Sequence, residues 1–162
     1  MKTWLFTWNP RRWQWNDKYQ GYLEMKHQIA QVGKAFATWS CGQNKSIKTG
    51  DRIFLIRLGA EPRGIVASGR AASDVFEGPH WDSARAYSGD TCRRIYIEFD
   101  KILDPEKETI LPIGLLNTLF PSVRWSSQSS GIEVSSRVLT DLESIWKGYP
   151  EIQTKWKLRI NF

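Results

Sequence analysis

Cysteine and histidine are scarce in this 162-residue chain, with Cys41, Cys92, His27 and His80 as the full complement. Two cysteines cannot build a disulfide framework, and the two histidines leave too few soft ligands for a closed zinc site. No structural metal and no cofactor is expected. Long apolar runs are missing too. No stretch approaches the roughly 18 residues that a membrane span needs, and the opening MKTWLFTWNPRRWQW has no apolar segment followed by a small-residue cleavage site. The expectation is a cytoplasmic protein with no membrane partner. No G-x-G-x-x-G and no Walker A string occurs, so a dinucleotide or P-loop site has no support. Metal-dependent nucleases need clustered carboxylates or histidines, yet the only acid-x-Lys triplet, Glu24-Met25-Lys26, falls in a helical pattern. A binding protein is expected rather than an enzyme.

Present in quantity are tryptophan and positive charge. Nine Trp, five Tyr and seven Phe stand in the chain, and Trp4, Trp8, Trp13 and Trp15 crowd its start. The 23 Lys and Arg against 17 Asp and Glu leave a net charge of +6. That charge is uneven: residues 1–48 carry +6, 49–94 carry +1, 95–143 carry −4 and 144–162 carry +3. A basic, aromatic-rich first third beside an acidic later stretch is what one face for a polyanion and another for solvent would produce. An ordinary solvated surface is the competing account. With 41% hydrophobic and 25% charged residues the composition is globular. One domain over residues 1–150 is expected, with a tail at 151–162 that is either a strand or a linker to a further domain.

Patterning predicts the elements. Lys2 to Asn9 reads as a mostly buried strand ending at Pro10. From Asn16 as N-cap, the spacing of Tyr19, Tyr22, Leu23, Ile29, Ala30 and Gly33 predicts a helix of about five turns. Phe36 to Cys41 is short and aromatic, and Asn44 to Asp51 is a polar loop. Arg52 to Leu58 and Ile65 to Ala72 form a hairpin. Ser73 to Arg93 has no period and reads as a long loop. A strand at Arg94 to Phe99, a short helix at Pro112 to Phe120, a polar loop at Arg124 to Gly131 and a short strand at Ile132 to Val134 follow. A last helix from Ser136 stops at Gly148 and Pro150. Lys155 to Phe162 alternates as a half-buried strand would. Mostly hairpin-linked strands with inserted helices predict an α+β domain around a strongly curved sheet or small barrel.

Trp4 lies in a strand pattern and Trp146 on a helix stripe, where a core role accounts for them. Trp39, Trp81 and Trp125 sit in or beside the irregular polar segments WSCGQN, GPHWDS and RWSSQSSG. Loop rings beside Ser, Cys, Asn and Gln are what a pocket for a flat heteroaromatic base requires, with rings on its faces and short polar groups at its edge. The bland account is that these rings plug the ends of a barrel. Arg11, Arg12, Lys45 and Lys48 are the expected phosphate contacts, and Ser127, Gln128 and Ser130 are the loop residues expected to enter a duplex and fill the gap a flipped base leaves. A hydrolase built on Cys41, His80 and Asp82 is the competing reading from another class.

TWLFTWNP, WSCG with KTGDRIFLIRLG, PRGIVASGRA, HWD, RRIYIEFDKILDP and WSSQSSGIEV together resemble the EVE domain, a branch of the PUA-like superfamily related to YTH domains. The resemblance spans roughly residues 3 to 146 and is nearest to the N-terminal domains of modification-dependent restriction endonucleases. It implies a PUA-like fold and an aromatic cage for a base flipped out of duplex DNA, with 5-methylcytosine or 5-hydroxymethylcytosine as the ligand. Trp39 with Ser40 and Cys41 matches one cage segment and Trp81 the other, while Asn9 matches more loosely a polar group at the base edge. Trp125 to Gly131 resembles the nucleic-acid-contacting loop. A fused or associated nuclease domain is the implied partner, although no nuclease motif is present in this chain. An RNA- or tRNA-binding PUA-like protein, or an N6-methyladenine reader, remains the alternative.

Overall fold

The computed structural model describes residues 1–15 and 21–151. Its first strand, β1 (Thr3–Trp8), is built from side chains that the core takes up almost entirely. The start of β1 is fixed by a buried carboxylate. Asp51 accepts from Lys2 N–H (3.1 Å), Trp4 Nε1–H (2.8 Å) and Lys48 N–H (3.0 Å). These bonds lay β1 beside β3 (Arg52–Arg57) in parallel, with Thr3 opposite Arg52. Between them the chain makes helix α1 (Tyr22–Val32) and strand β2 (Ala35–Ser40). Helix α1 is shorter than the five turns expected. It starts after Gly21, and Gly33 in the left-handed conformation ends it. The expected N-cap Asn16 and the position Tyr19 lie outside the described residues.

The hairpin is present as β3 and β4 (Gly64–Ala71). The span expected to be one long loop holds two elements, β5 (Phe76–Pro79) and α2 (Ser83–Tyr87), before β6 (Thr91–Ile102) begins. Neither announces itself by period, because β5 exists through its ladder to β6 and α2 through its cap, in which Asp82 Oδ1 accepts from Ala84 N–H and Arg85 N–H. Then come β7 (Leu111–Pro112), α3 (Ile113–Leu119), β8 (Ile132–Glu133) and α4 (Ser136–Lys147). The expected C-terminal strand at 155–162 lies outside the described residues.

The strands pair in the order β2-β6-β4-β3-β1-β8, with β5 also on β6 and β7 on β4. All pairs are antiparallel except β1 with β3. Among the described residues the sheet does not close by backbone pairing and forms a curved sheet. Its curvature is nonetheless extreme: three strands lie between β2 and β1 in that order, yet Trp39 Nε1–H on β2 donates to Thr7 O on β1 at 3.2 Å. The interior of the curl is aromatic. Trp15 meets Trp8 at 5.5 Å, Trp39 at 4.9 Å and Phe99 at 5.7 Å between ring centroids, edge-on or tilted, as ring quadrupoles favour. On the other side, α4 is held by the buried Arg52, whose guanidinium bonds Asp100 (2.6 Å) and Glu143 (2.6 and 3.2 Å), and by Trp146 Nε1–H on Ser68 Oγ (2.9 Å).

Candidate nucleic-acid interface

Where the curl brings the end of β2 to the end of β1, a cavity of about 750 Å³ opens. That is within the roughly 300–1,000 Å³ of small-molecule sites. Four distant pieces of chain line it: the end of β1 with the turn after it, the end of β2, the β5–α2 junction and the polar loop before β8. The β3–β4 turn completes the rim through Leu58, Gly59 and Arg63.

Four tryptophans line this cavity, Trp8, Trp13, Trp39 and Trp81; Trp8 is buried and spends its N–H on Trp13 O at 2.9 Å. Trp39 is held: its ring is buried, its N–H is spent on Thr7 O, and Trp13 meets it edge-on at 4.9 Å and 89°. Trp13 and Trp81 are the accessible rings, 39% and 42% exposed. Trp13 is missed by the sequence reading, which counts it only among a crowd of early tryptophans. Its placement follows from the turn that Asn9 organises. The Asn9 carbonyl accepts from Arg12 N–H and Trp13 N–H, both at 3.0 Å, and its side-chain Oδ1 accepts from Arg11 N–H at 3.0 Å. Across from it Gly59 sits at φ 81°, and a Cβ there would collide with the Asn9 carboxamide. Asn9 lines the cavity, with its side-chain oxygen committed to Arg11 N–H.

Ser40 offers backbone. Cys41 N–H bonds Arg93 O at 3.0 Å, and bonding alternates along an antiparallel ladder. The N–H and C=O of Ser40 therefore turn to the edge of β2 that carries no strand, which lines the cavity. The same alternation removes Cys41. Fully buried, its Sγ donates to Asn44 O (3.6 Å), and it does not line the cavity, against the expectation that it would set a base-edge bond. Burial pushes its thiol up to about 11, so it is protonated through the neutral range.

The polar loop is tied to β1. Ser130 Oγ accepts from Thr7 N–H and Ser127 O accepts from Thr7 Oγ1, both at 3.0 Å. Gly131, at φ 85°, passes so close to its neighbours that a Cβ would lie 2.8 Å from Asn44 Cβ and 2.9 Å from Cys41 O. Gln128 and Ser130 line the cavity, and Ser127 anchors the loop without lining it. Trp125 departs from expectation. It is 1% exposed, donates Nε1–H to Phe120 O at 3.0 Å and belongs to the core.

The charged lining comprises Arg12, Arg63 and Arg94 and no carboxylate. Arg12 is exposed, and so is Arg11 beside it. Arg63 is paired with Glu61 at 2.9 Å. Arg94, which sequence reasoning placed at the start of a strand and gave no role at the site, is a strut. Its guanidinium reaches Thr38 Oγ1 (2.9 Å) on β2 and Pro79 O (3.3 Å) at the end of β5. Lys45 is exposed on the loop that Asn44 Nδ2–H ties to Gly131 O (2.8 Å), outside the cavity lining. Lys48 is misplaced by the sequence reading. It neighbours the Asp51 cluster at the start of β1, about 17 Å along the strand from the cavity end, and pairs with Asp74 at 3.8 Å. The hydrolase constellation is not assembled either. His80 Nδ1 accepts from the backbone N–H of Asp82 (3.0 Å), while the Asp82 carboxylate caps α2, and Cys41 is buried and protonated.

No family model and no curated protein matches the sequence. Solved structures do match the fold. A protein of Pseudomonas syringae, 17% identical, aligns over 88% of this chain and 98% of its own with a TM-score of 0.59. Human THYN1, solved in complex with DNA containing 5-methylcytosine, is 12% identical and aligns over 93% of this chain and 100% of its own with a TM-score of 0.61. A hypothetical protein from Leishmania major, 12% identical, aligns over 91% and 95% with a TM-score of 0.57. The fold is thus the α+β, PUA-like fold that the resemblance to EVE domains implies. Among the described residues, no helix is long and apolar enough to cross a membrane.

Proposed function

We propose that this chain reads a modified base in nucleic acid, taking one nucleotide flipped out of duplex DNA into the cavity, with 5-methylcytosine or 5-hydroxymethylcytosine as the base. The observation that carries this is the cavity itself: accessible Trp13 and Trp81 beside the fixed Trp39, the backbone edge of Ser40, and the exposed Arg12 in a lining that itself holds no carboxylate. Rings supply faces for a heteroaromatic base, Ser40 and Asn9 supply donors and an acceptor for its edge, and the positive rim favours phosphate. That THYN1 shares the fold and was solved with DNA containing 5-methylcytosine supports the same reading. Extruding a base costs a few kcal/mol, and stacking on a ring is worth about 1–3 kcal/mol, so two or three rings are of the right order to offset extrusion. The domain binds and does not cut; in a restriction system it would supply specificity to a nuclease partner.

The test is a binding panel at fixed salt with duplexes that differ in one base, cytosine, 5-methylcytosine, 5-hydroxymethylcytosine or N6-methyladenine, and with RNA of the same sequence. Preference for a modified cytosine is expected. Trp81→Ala and Trp13→Ala should each reduce that preference by about tenfold per 1.4 kcal/mol of lost stacking; Trp81→Ala should melt close to the parent, whereas Trp13→Ala also removes the edge-on contact with Trp39 and should melt lower. Trp39→Ala is unsuited to this purpose, since emptying a buried Trp site costs about 3–5 kcal/mol of stability. Equal binding of all duplexes by the parent would end the proposal, and tighter binding of the RNA would transfer the site to RNA.

A further inference from the structure

Trp81 is an exposed ring on a short excursion of chain, and exposure alone does not hold a ring in one pose. Among the described residues its ring meets one other aromatic ring, that of His80, at 5.1 Å and 34°. His80 is bonded at both ends. Its backbone N–H donates to Asp90 O (3.1 Å), which closes the base of the 80–90 excursion, and its ring Nδ1 accepts from Asp82 N–H (3.0 Å), which bridges over residue 81. Trp81 is therefore clasped between two residues that are bonded to each other. The excursion is further braced by Arg85 with Asp90 (2.9 Å) and by the Arg94 strut on Pro79 O. Neither of those braces is a hydrogen bond to residue 81.

We infer that His80 is the positioning residue for Trp81: its neutral imidazole, with the proton on Nε2, holds the Asp82 amide at Nδ1 and fixes the Trp81 ring toward the cavity. Only that tautomer leaves a lone pair at Nδ1. The Asp82 carboxylate is turned to the first turn of α2, where its Oδ1 accepts from Ala84 N–H and Arg85 N–H. The inference deepens the base-reading proposal and rests on it for its functional consequence, although the clasp itself does not depend on any ligand.

Substitution can separate geometry from bulk. Asn places its Oδ1 where His80 has Nδ1, whereas the Gln acceptor lies one bond further out, where His80 has Nε2. His80→Asn is expected to keep the clasp; His80→Ala and His80→Gln are expected to lose it. The first readout is amide hydrogen exchange of Asp82 by NMR, together with the Trp81 indole resonance. Exchange should accelerate about tenfold on loss of one hydrogen bond in the Ala and Gln variants and stay at the parent rate in the Asn variant. The second readout is preference for the modified duplex, expected to fall at least about fivefold in the Ala and Gln variants and to survive in the Asn variant. Melting temperatures should stay within a few degrees throughout. Parent-like Asp82 exchange in His80→Ala, or loss in His80→Asn equal to that in His80→Ala, overturns the inference. A parent that shows no base preference overturns the base-reading proposal instead, and the exchange data still decide the clasp.

Discussion

Cys41 and Trp125 show how a side chain's surroundings overrule its neighbours in sequence. Cys41 follows Trp39 and Ser40, but strand alternation sends 39 inward, 40 to the cavity edge and 41 inward again. Its thiol keeps its proton well above the ordinary value of 9.0, up to about 11. A group whose folded pKa is raised contributes stability that is complete below the unfolded value and is lost as pH rises through the folded one. For Cys41 that window runs from 9.0 to about 11. In the native protein at pH 8 a thiol reagent should accordingly label Cys92 and spare Cys41, with both labelled after denaturation; rapid native labelling of Cys41 would contradict the burial. Trp125 lies in a run of serines that reads as exposed loop, yet its indole N–H finds Phe120 O and the ring follows it into the core. Trp39 and Trp81 were legible as cavity rings because each interrupts a polar segment. Trp13 was not, since its position is set by backbone bonds to the Asn9 carbonyl that no residue pattern displays.

At the level of elements, β1, the β3–β4 hairpin, α3 and α4 were legible because each carries its own period or its own stop signal. The parallel pairing of β1 with β3 was not, since it is made by Asp51, one polar residue in what reads as a turn. Three N–H donors hold the Asp51 carboxyl below its ordinary 3.8 although burial alone would raise it. A depressed carboxylate contributes stability that is present above the unfolded pKa and lost as pH falls through the folded one. Asp51→Asn should therefore be less stable than the parent at pH 7, and the difference should shrink as pH drops below 3.8. Chemical denaturation at several pH values checks this; a gap that stays constant down to pH 2 would mean that the charge of Asp51 is not what joins β1 to β3.

For the whole molecule, charge and cavity coincide only in part. The N-terminal third carries +6, but the curl separates its members: Arg12 lines the cavity, with Arg11 next to it in the chain, and Lys48 lies at the other end of β1. Nucleic-acid affinity should fall with salt at a slope of roughly −0.9 per neutralised phosphate. Arg12→Ala should lower that slope by about one, and Lys48→Ala should leave it unchanged. A slope reduced equally by both would extend the contact surface along the full length of β1. The same curl sets a schedule for the newborn chain. β1 and its tryptophans leave the ribosome first, while their partners arrive with residues 52–57 and 132–133. At about 5–20 residues per second, the stickiest segment of the molecule waits on the order of ten seconds for the last strand that covers it. The cavity, whose walls come from residues 7–13, 38–42, 79–81 and 126–130, cannot be complete until the last of these has been made, so the tryptophans of β1 are left without their final cover for that interval.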